Sequence, residues 1–275
     1  MTQPSSECPI ILCFSGLDPT GGAGLQADIE TLISLGCHAA PIATSLTIQD
    51  THDVKGITPI EPSLIISQAR AILEDMPVNC VKIGLLGSVA AIEAIHTILE
   101  DYPNLPIVLD PIINAGGGGL LADKAILGAM ETLLLPQVSV ITPNHKEAKE
   151  LADQADSIEA CANELMSKGC AHVLITDCNP NSNVLTNKLW GHNRLLSSND
   201  WDRYEGVFHG SGCTLASSIA GYLAHGTETV NACRQAQSYT WQSVRHGRRL
   251  GMGQLIPRRL FWSDHEKQSE WHHAN

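Results

Sequence analysis

The order of apolar runs constrains the fold of this chain more than any other feature. Short stretches of buried-type residues alternate with segments whose apolar positions recur at helical spacing. "IILCFSG" from Ile10 reads as a strand that empties into "LDPTGGAG", and "LQADIETLISLG" from Leu25 reads as a helix that stops at Gly36. "APIATSLT", "VKIGLLG", "PIVLDPII", "VSVITPN" and "HVLITD" read as further buried strands, each followed by a helical segment. Repeated strand-then-helix units need crossover connections, which place helices on both faces of a mostly parallel sheet. The expected fold is α/β, a three-layer α/β/α sandwich. One stretch departs from the pattern: "NVLTNKLWGHNRLLSS" reads as a hairpin turning at Gly191 and His192, at a sheet edge.

No linker, repeat or low-complexity stretch interrupts the 275 residues. One domain is expected over residues 1–262, followed by a polar, aperiodic tail at 263–275. A formal net charge of −12 excludes an extended phosphate-neutralising surface, so no nucleic-acid partner is expected. The one basic cluster, Arg245, Arg248 and Arg249, reads as a solvated helix end. Nine cysteines in an odd count, without C-x-x-C spacing and with Cys13, Cys80 and Cys170 in apolar surroundings, read as free thiols in a reducing cytoplasm. "MTQPSSECPI" lacks a basic region and a long apolar region, and no run of eighteen apolar residues occurs. Neither a secretion signal nor a membrane partner is expected.

In sheets of this kind ligands bind beyond the carboxyl ends of the strands. Here those ends carry "SGLDPTGGAG", "DPIINAGGGG" and "TPNHKE", and "HGSGCT" precedes a long helix. The familiar signatures are absent: there is no G-x-x-x-x-G-K-[ST], Ala27 replaces the last glycine of a G-x-G-x-x-G, and His209 stands where G-x-S-x-G needs glycine. Gly210, Ser211 and Gly212 are small enough for their N–H groups to converge on an anion at the helix N-terminus, such as the terminal group of a triphosphate. A plain helix cap is the alternative. Cys213 falls in the first turn, where a thiol's pKa is lowered, so a thiolate base for a substrate alcohol is expected. The alternative is a small buried hydrophobe.

Six motifs, "SGLDPTGGAGLQAD", "SLTIQDT", "VKIGLLGS", "VLDP", "LLPQVSVITPNHKEAKEL" and "HGSGCTLASSIAGYLAHG", stand in the order and at the spacing found in hydroxymethylpyrimidine/phosphomethylpyrimidine kinases. The chain resembles that family, part of the ribokinase-like superfamily, from about Ile10 to Trp262. The resemblance implies a ribokinase-like fold, ATP with Mg2+ as phosphoryl donor, a pyrimidine alcohol and then its monophosphate as acceptors, and a homodimer. It implies that Gln49 hydrogen-bonds the aminopyrimidine ring, a task that suits an amide because it offers donor and acceptor together. Asp18, Ala23, Leu85 and Ile112 would line the same pocket, although Gln49 could equally form a turn and Leu85 and Ile112 ordinary core. Asn144 and Glu147 match the superfamily's magnesium and phosphate element, with Glu147 reaching the metal directly or through water and Asp110 beside it. Cys213 would take the proton of the hydroxymethyl group, and Gly210, Ser211, Gly212 and Thr176 would contact ATP.

Two places depart from the family pattern. Thr176, Asp177 and Cys178 occupy the position of a lysine and paired glycines, so a positive charge near the nucleotide phosphates is missing. "DPIINAGGGGLL" is shorter than its counterpart and lacks its polar residues. Losing a lysine on a transferring phosphate costs about 3 kcal/mol of transition-state stabilisation. Lys82, Lys146 and Lys188 are the candidates to compensate. Three other readings stay open: a pyridoxal kinase, a kinase-fold protein that binds a pyrimidine without turnover, and a cysteine hydrolase pairing Cys213 with His209.

Overall fold

The computed structural model describes residues 8–114 and 121–263. Among the described residues nine strands form one sheet: β1 (Ile10–Leu17), β2 (His38–Gln49), β3 (Val54–Pro59), β4 (Val78–Ile83), β5 (Ile107–Leu109), β6 (Val140–Ile141), β7 (His172–Ile175), β8 (Val184–Gly191) and β9 (Arg194–Asp202). Their order is β3-β2-β1-β4-β5-β6-β7-β8-β9. The six central strands are parallel, and β3, β8 and β9 pair antiparallel at the two edges.

The helices are α1 (Gly24–Ser34), α2 (Pro62–Asp75), α3 (Val89–Glu100), α4 (Lys124–Ala129), α5 (His145–Leu151), α6 (Ile158–Ser167), α7 (Ser211–Ala224) and α8 (Thr229–Arg245). Ser88, Asp123 and Ser157 start α3, α4 and α6 by accepting a backbone N–H from Ala91, Ile126 and Ala160. Alternation along β1 splits the core in two. Ile10, Leu12 and Phe14 pack into a layer with α2, α3 and α6, whereas Ile11 and Cys13 face α1, α7 and α8. The three layers expected from the sequence are present.

The strand-then-helix repetition fails twice. β3, which the sequence pattern did not mark, stands between β2 and α2; "VKGITP" has no apolar alternation because none of its residues is buried and the strand pairs with β2 alone. β7 leads into β8 rather than into a helix. The expected edge hairpin is there, but its turn is formed by His192 and Asn193 at φ 52° and 55°, as a two-residue turn matched to strand twist requires. Gly191 is instead the last residue of β8, where a Cβ would meet the His172 ring at 2.7 Å. The four consecutive glycines of "AGGGGL" and the tail beyond Ser263 lie outside the described residues. Cys13, Cys37, Cys80, Cys161, Cys170, Cys178, Cys213 and Cys233 carry free thiols. Among the described residues no helix is long and apolar enough to cross a membrane.

Candidate active site

β2 and β4 flank β1 on opposite sides, so the crevice beyond the C-terminal end of β1 is a topological switch point. A cavity of about 240 Å³ opens there. The loop after β1 brings Asp18 and Ala23 to it, and the end of β2 brings Gln49. The ends of β4 and β5 supply Leu85, Asp110 and Ile112; those of β6 and β7 supply Asn144, Glu147 and Thr176. Gly210, Ser211, Gly212 and Cys213 close it from the start of α7. Every site residue singled out from the sequence therefore lines one cavity.

Two glycine loops meet at its rim at a distance that only glycine allows. Gly210 has φ 85°, and a Cβ on it would stand 2.0 Å from the Gly22 carbonyl oxygen. Arg259, 1% exposed, fastens the junction: its Nη2 donates to Gly22 O, its Nη1 to Glu30 Oε2 at 3.0 Å and its Nε to Thr214 Oγ1 at 2.9 Å. Nothing in "IPRRL" marks Arg259 as central, because its partners are distant in sequence. Gly210 is the N-cap of α7 and carries no side-chain acceptor, so the first-turn N–H groups of this helix are left for an anion.

Cys213 corrects one expectation. The first-turn position does not leave a ready thiolate, since the side chain is buried and its thiol lies far above its ordinary pKa. Burial is the main cause and the Asp110 carboxylate adds to it, outweighing the opposite pull of Lys82. The thiol is protonated at rest. Lys82 is itself fully buried, 2.8 Å from Asp28 Oδ1, and Asp28 also accepts from Ser217 Oγ.

Asp110 and Glu147 form the acidic corner. Burial raises both carboxyls, and the neighbouring Asp110 charge helps push Glu147 up to about 8. Asn144 caps α5 in a capping box, accepting from the N–H groups of Lys146 and Glu147 while its own N–H binds Glu147 Oε2 at 2.9 Å. Asp110 Oδ2 is buried without a hydrogen-bond partner. Two adjacent buried carboxyls with an unpaired oxygen fit a magnesium ion that takes its other ligands from phosphates and water. Among the described residues no three such side chains converge, so a cage made by the protein alone is absent.

On the opposite wall Asp18 collects donors. Its carboxylate accepts from Thr20 N and Oγ1 at 2.8 and 2.9 Å, Ala23 N at 2.8 Å and His209 Nε2 at 2.8 Å. Burial works to raise this carboxyl, but hydrogen bonds from His209, Gln49 and Thr20 hold it well below the usual carboxylate range. His209 thus serves Asp18, and its ring is not placed as a partner of Cys213. The sequence suggests His209 only as a hydrolase partner of Cys213; its position beside Gly210 is the signal for its place in the site.

None of the three lysines considered as substitutes lines the cavity. Beyond Thr176, Asp177 sits at φ 52° and pairs with both terminal nitrogens of Arg203, at 2.5 and 3.1 Å. That pair lines a second cavity of about 370 Å³ with Trp201, Tyr204 and Trp241, which shares Asn144, Thr176, Ser211 and Gly212 with the first.

Comparison with known proteins agrees with this geometry. Residues 18–257 match the family described as phosphomethylpyrimidine kinase. The thiamine biosynthesis bifunctional protein ThiED of Geobacter sulfurreducens is 33% identical over 88% of this chain, which spans 50% of that protein. The chain covers about half the length of the first curated relatives it matches. The hydroxymethylpyrimidine/phosphomethylpyrimidine kinase of Haemophilus influenzae is 32% identical, with 88% of this chain and 93% of that one aligned. The crystal structure of a phosphomethylpyrimidine kinase from Clostridium difficile superposes with a TM-score of 0.75 at 27% identity, over 86% of this chain and all of that one. Pyridoxal kinase structures at 22–24% identity share the fold. With its glycine loops, Gln49 and Cys213 on one cavity of a ribokinase-like sheet, the chain belongs to the phosphomethylpyrimidine kinase family.

Proposed function

We propose that this protein transfers the γ-phosphoryl group of ATP to the hydroxymethyl oxygen of an aminopyrimidine, and a second one to the phosphate just made, in thiamine biosynthesis. The observation that carries this reading is that the uncapped start of α7, the Cys213 sulfur and the Gln49 amide line one cavity of about 240 Å³. Gln49 orients the ring through paired hydrogen bonds, and Leu85 and Ile112 supply apolar walls. The N–H groups at Ser211, Gly212 and Cys213 hold the γ-phosphate and stabilise the charge spreading over its oxygens. The second cavity, floored by aromatic side chains, receives the nucleoside end of ATP. Glu147 would hold magnesium, directly or through water and with Asp110 beside it, and the ion would neutralise phosphate charge.

Because the Cys213 thiol keeps its proton at rest, it acts as a relay rather than as a standing base. As the alcohol oxygen bonds to phosphorus and the bond to ADP breaks, the alcohol proton passes to Sγ and the thiol proton passes to Asp110. The buried Lys82 ammonium lowers the cost of negative charge in this group. The second transfer attacks with an oxygen already ionised at neutral pH, so it rests on positioning.

One observation favours a second reading. With Thr176 and the Asp177–Arg203 pair where a lysine is expected, the chain could bind the pyrimidine without turnover. An ATP-consumption assay with magnesium, offering hydroxymethylpyrimidine, its monophosphate and pyridoxal separately, decides between them. Turnover on both pyrimidines supports the two-step kinase. Binding by calorimetry without turnover replaces it with the sensor, and turnover on pyridoxal alone overturns both. A homodimer in a reducing cytoplasm completes the proposal, buried free thiols such as Cys13, Cys80 and Cys170 being its support for the compartment; sedimentation at micromolar concentration reads the dimer.

A further inference from the structure

The second cavity continues from the first across the wall that Asn144, Thr176, Ser211 and Gly212 share, and it ends on aromatic rings. The centroids of Trp201 and Trp241 are 6.0 Å apart, and those of Tyr204 and Trp241 5.4 Å. Two buried amides frame its polar wall. Gln237 Oε1 accepts from Trp201 Nε1 and from Asn187 Nδ2, both at 3.1 Å. Asn187 Oδ1 in turn accepts from the Asp177 N–H at 3.0 Å, so the aromatic floor and Asp177 belong to one hydrogen-bonded frame.

Asp177 then holds Arg203. Its two carboxylate oxygens accept from Nη2 at 2.5 Å and Nη1 at 3.1 Å, and the Ser182 carbonyl accepts from Nε at 2.9 Å. A guanidinium carries five N–H groups, so two remain for a ligand. Among the described residues lining the two cavities Arg203 is the one lysine or arginine, whereas Asp18, Asp110, Glu147, Asp177 and Asp202 are acidic. Apart from the start of α7, Arg203 is therefore where a polyphosphate laid across both cavities meets positive charge.

We propose that Arg203 binds the inner phosphates of the nucleotide, its two remaining N–H groups donating to α- and β-phosphate oxygens while Asp177 holds the fork from the other side. This rests on the reading of the second cavity as the nucleotide site. Connectivity sets the place: Asp177 follows Thr176, which lines both cavities, and Trp201 and Tyr204 stand on either side of Arg203 in sequence. The guanidinium thus lies between the rings and the shared wall that leads to the γ-phosphate cradle. Fork-shaped donors match phosphate oxygens in geometry as well as charge. Because Asp177 offsets most of the long-range field, Arg203 acts through direct hydrogen bonds.

The test is calorimetric binding of ADP and of adenosine with magnesium present, in which catalysis plays no part. Arg203→Met should weaken ADP about thirtyfold and leave adenosine within about twofold. Asp177→Asn separates ligand binding from a structural tie. It keeps an oxygen for one N–H and removes the opposing charge, so ADP should bind about fivefold tighter; a pair that merely joins the ends of β7 and β9 predicts weaker binding instead. Unchanged ADP affinity in Arg203→Met, equal losses for ADP and adenosine, or weakened ADP binding in Asp177→Asn would overturn the proposal. Should Arg203→Met fail to fold, phenylglyoxal labelling and peptide mapping of the unaltered protein decide. ADP should protect Arg203 and adenosine should not; labelling indifferent to ADP sinks the assignment. If the unaltered protein binds neither ligand, the nucleotide reading itself falls, whereas ADP binding that survives Arg203→Met removes this inference alone.

Discussion

Lys82 Nζ lies 2.8 Å from Asp28 Oδ1, and neither side chain reaches solvent. The pair sits beneath the candidate site, where its charges also act on Cys213 and Asp110. Breaking a buried pair leaves one charge without compensation, which costs about 3–5 kcal/mol, whereas replacing both partners can be nearly neutral. Lys82→Met should therefore lower the urea midpoint sharply, and Lys82→Met with Asp28→Leu should recover most of the loss. If the double variant is no more stable than the single, the two residues are not energetically paired.

The two glycines of "GSG" should behave differently on gaining a methyl group. Gly210→Ala forces a left-handed backbone on alanine and drives Cβ into the Gly22 carbonyl, so a loss of about 2 kcal/mol or more is expected. In Gly212→Ala the nearest atom to the new Cβ is Asp110 Oδ1 at 3.6 Å, an ordinary contact. That variant should fold with nearly unchanged thermal midpoint but bind ATP poorly, because the methyl group enters the cavity. Equal thermal midpoints for the two variants would contradict the close approach of the loops.

The thiols provide a direct check on the corrected view of Cys213. Iodoacetamide at pH 8 followed by peptide mapping should label exposed Cys8 early and half-buried Cys178 later. Cys213, buried and held protonated, should stay unlabelled until the protein unfolds. Labelling of Cys213 as fast as Cys8 would restore the thiolate that the sequence suggested.

Glu147 should make stability depend on pH when no metal is present. Its folded pKa, raised to about 8 by burial and by Asp110, exceeds the ordinary 4.5. The group's contribution is full below pH 4.5 and is lost as pH rises through 8. Glu147→Gln keeps an acceptor for the Asn144 N–H and carries no charge, so its thermal midpoint relative to the unaltered protein should climb from pH 5 to 8 and then level off. A difference that is flat across that range would mean that Glu147 is already ionised in the fold.

The local sequence determined the strand and helix pattern, the hairpin and the start of α7, because these follow from side-chain periodicity and turn chemistry over a few residues. It also placed Asp18, Gln49, Asp110, Asn144 and Cys213 at strand ends or a helix start, the only places a parallel sheet leaves open to a ligand. Edge strand β3 escaped notice because pairing with β2, rather than burial, holds it in place. Only the tertiary structure decided what the site residues do electrostatically. Helix position alone predicted a thiolate at Cys213; burial, helped by the carboxylates 103 and 185 residues earlier in the chain, at Asp110 and Asp28, keeps it a thiol. His209, 191 residues from Asp18, and Arg259, 237 from Gly22, find their partners through chain crossings that no local pattern encodes. Periodicity is short-ranged, whereas charge, desolvation and close approach depend on what folding brings alongside.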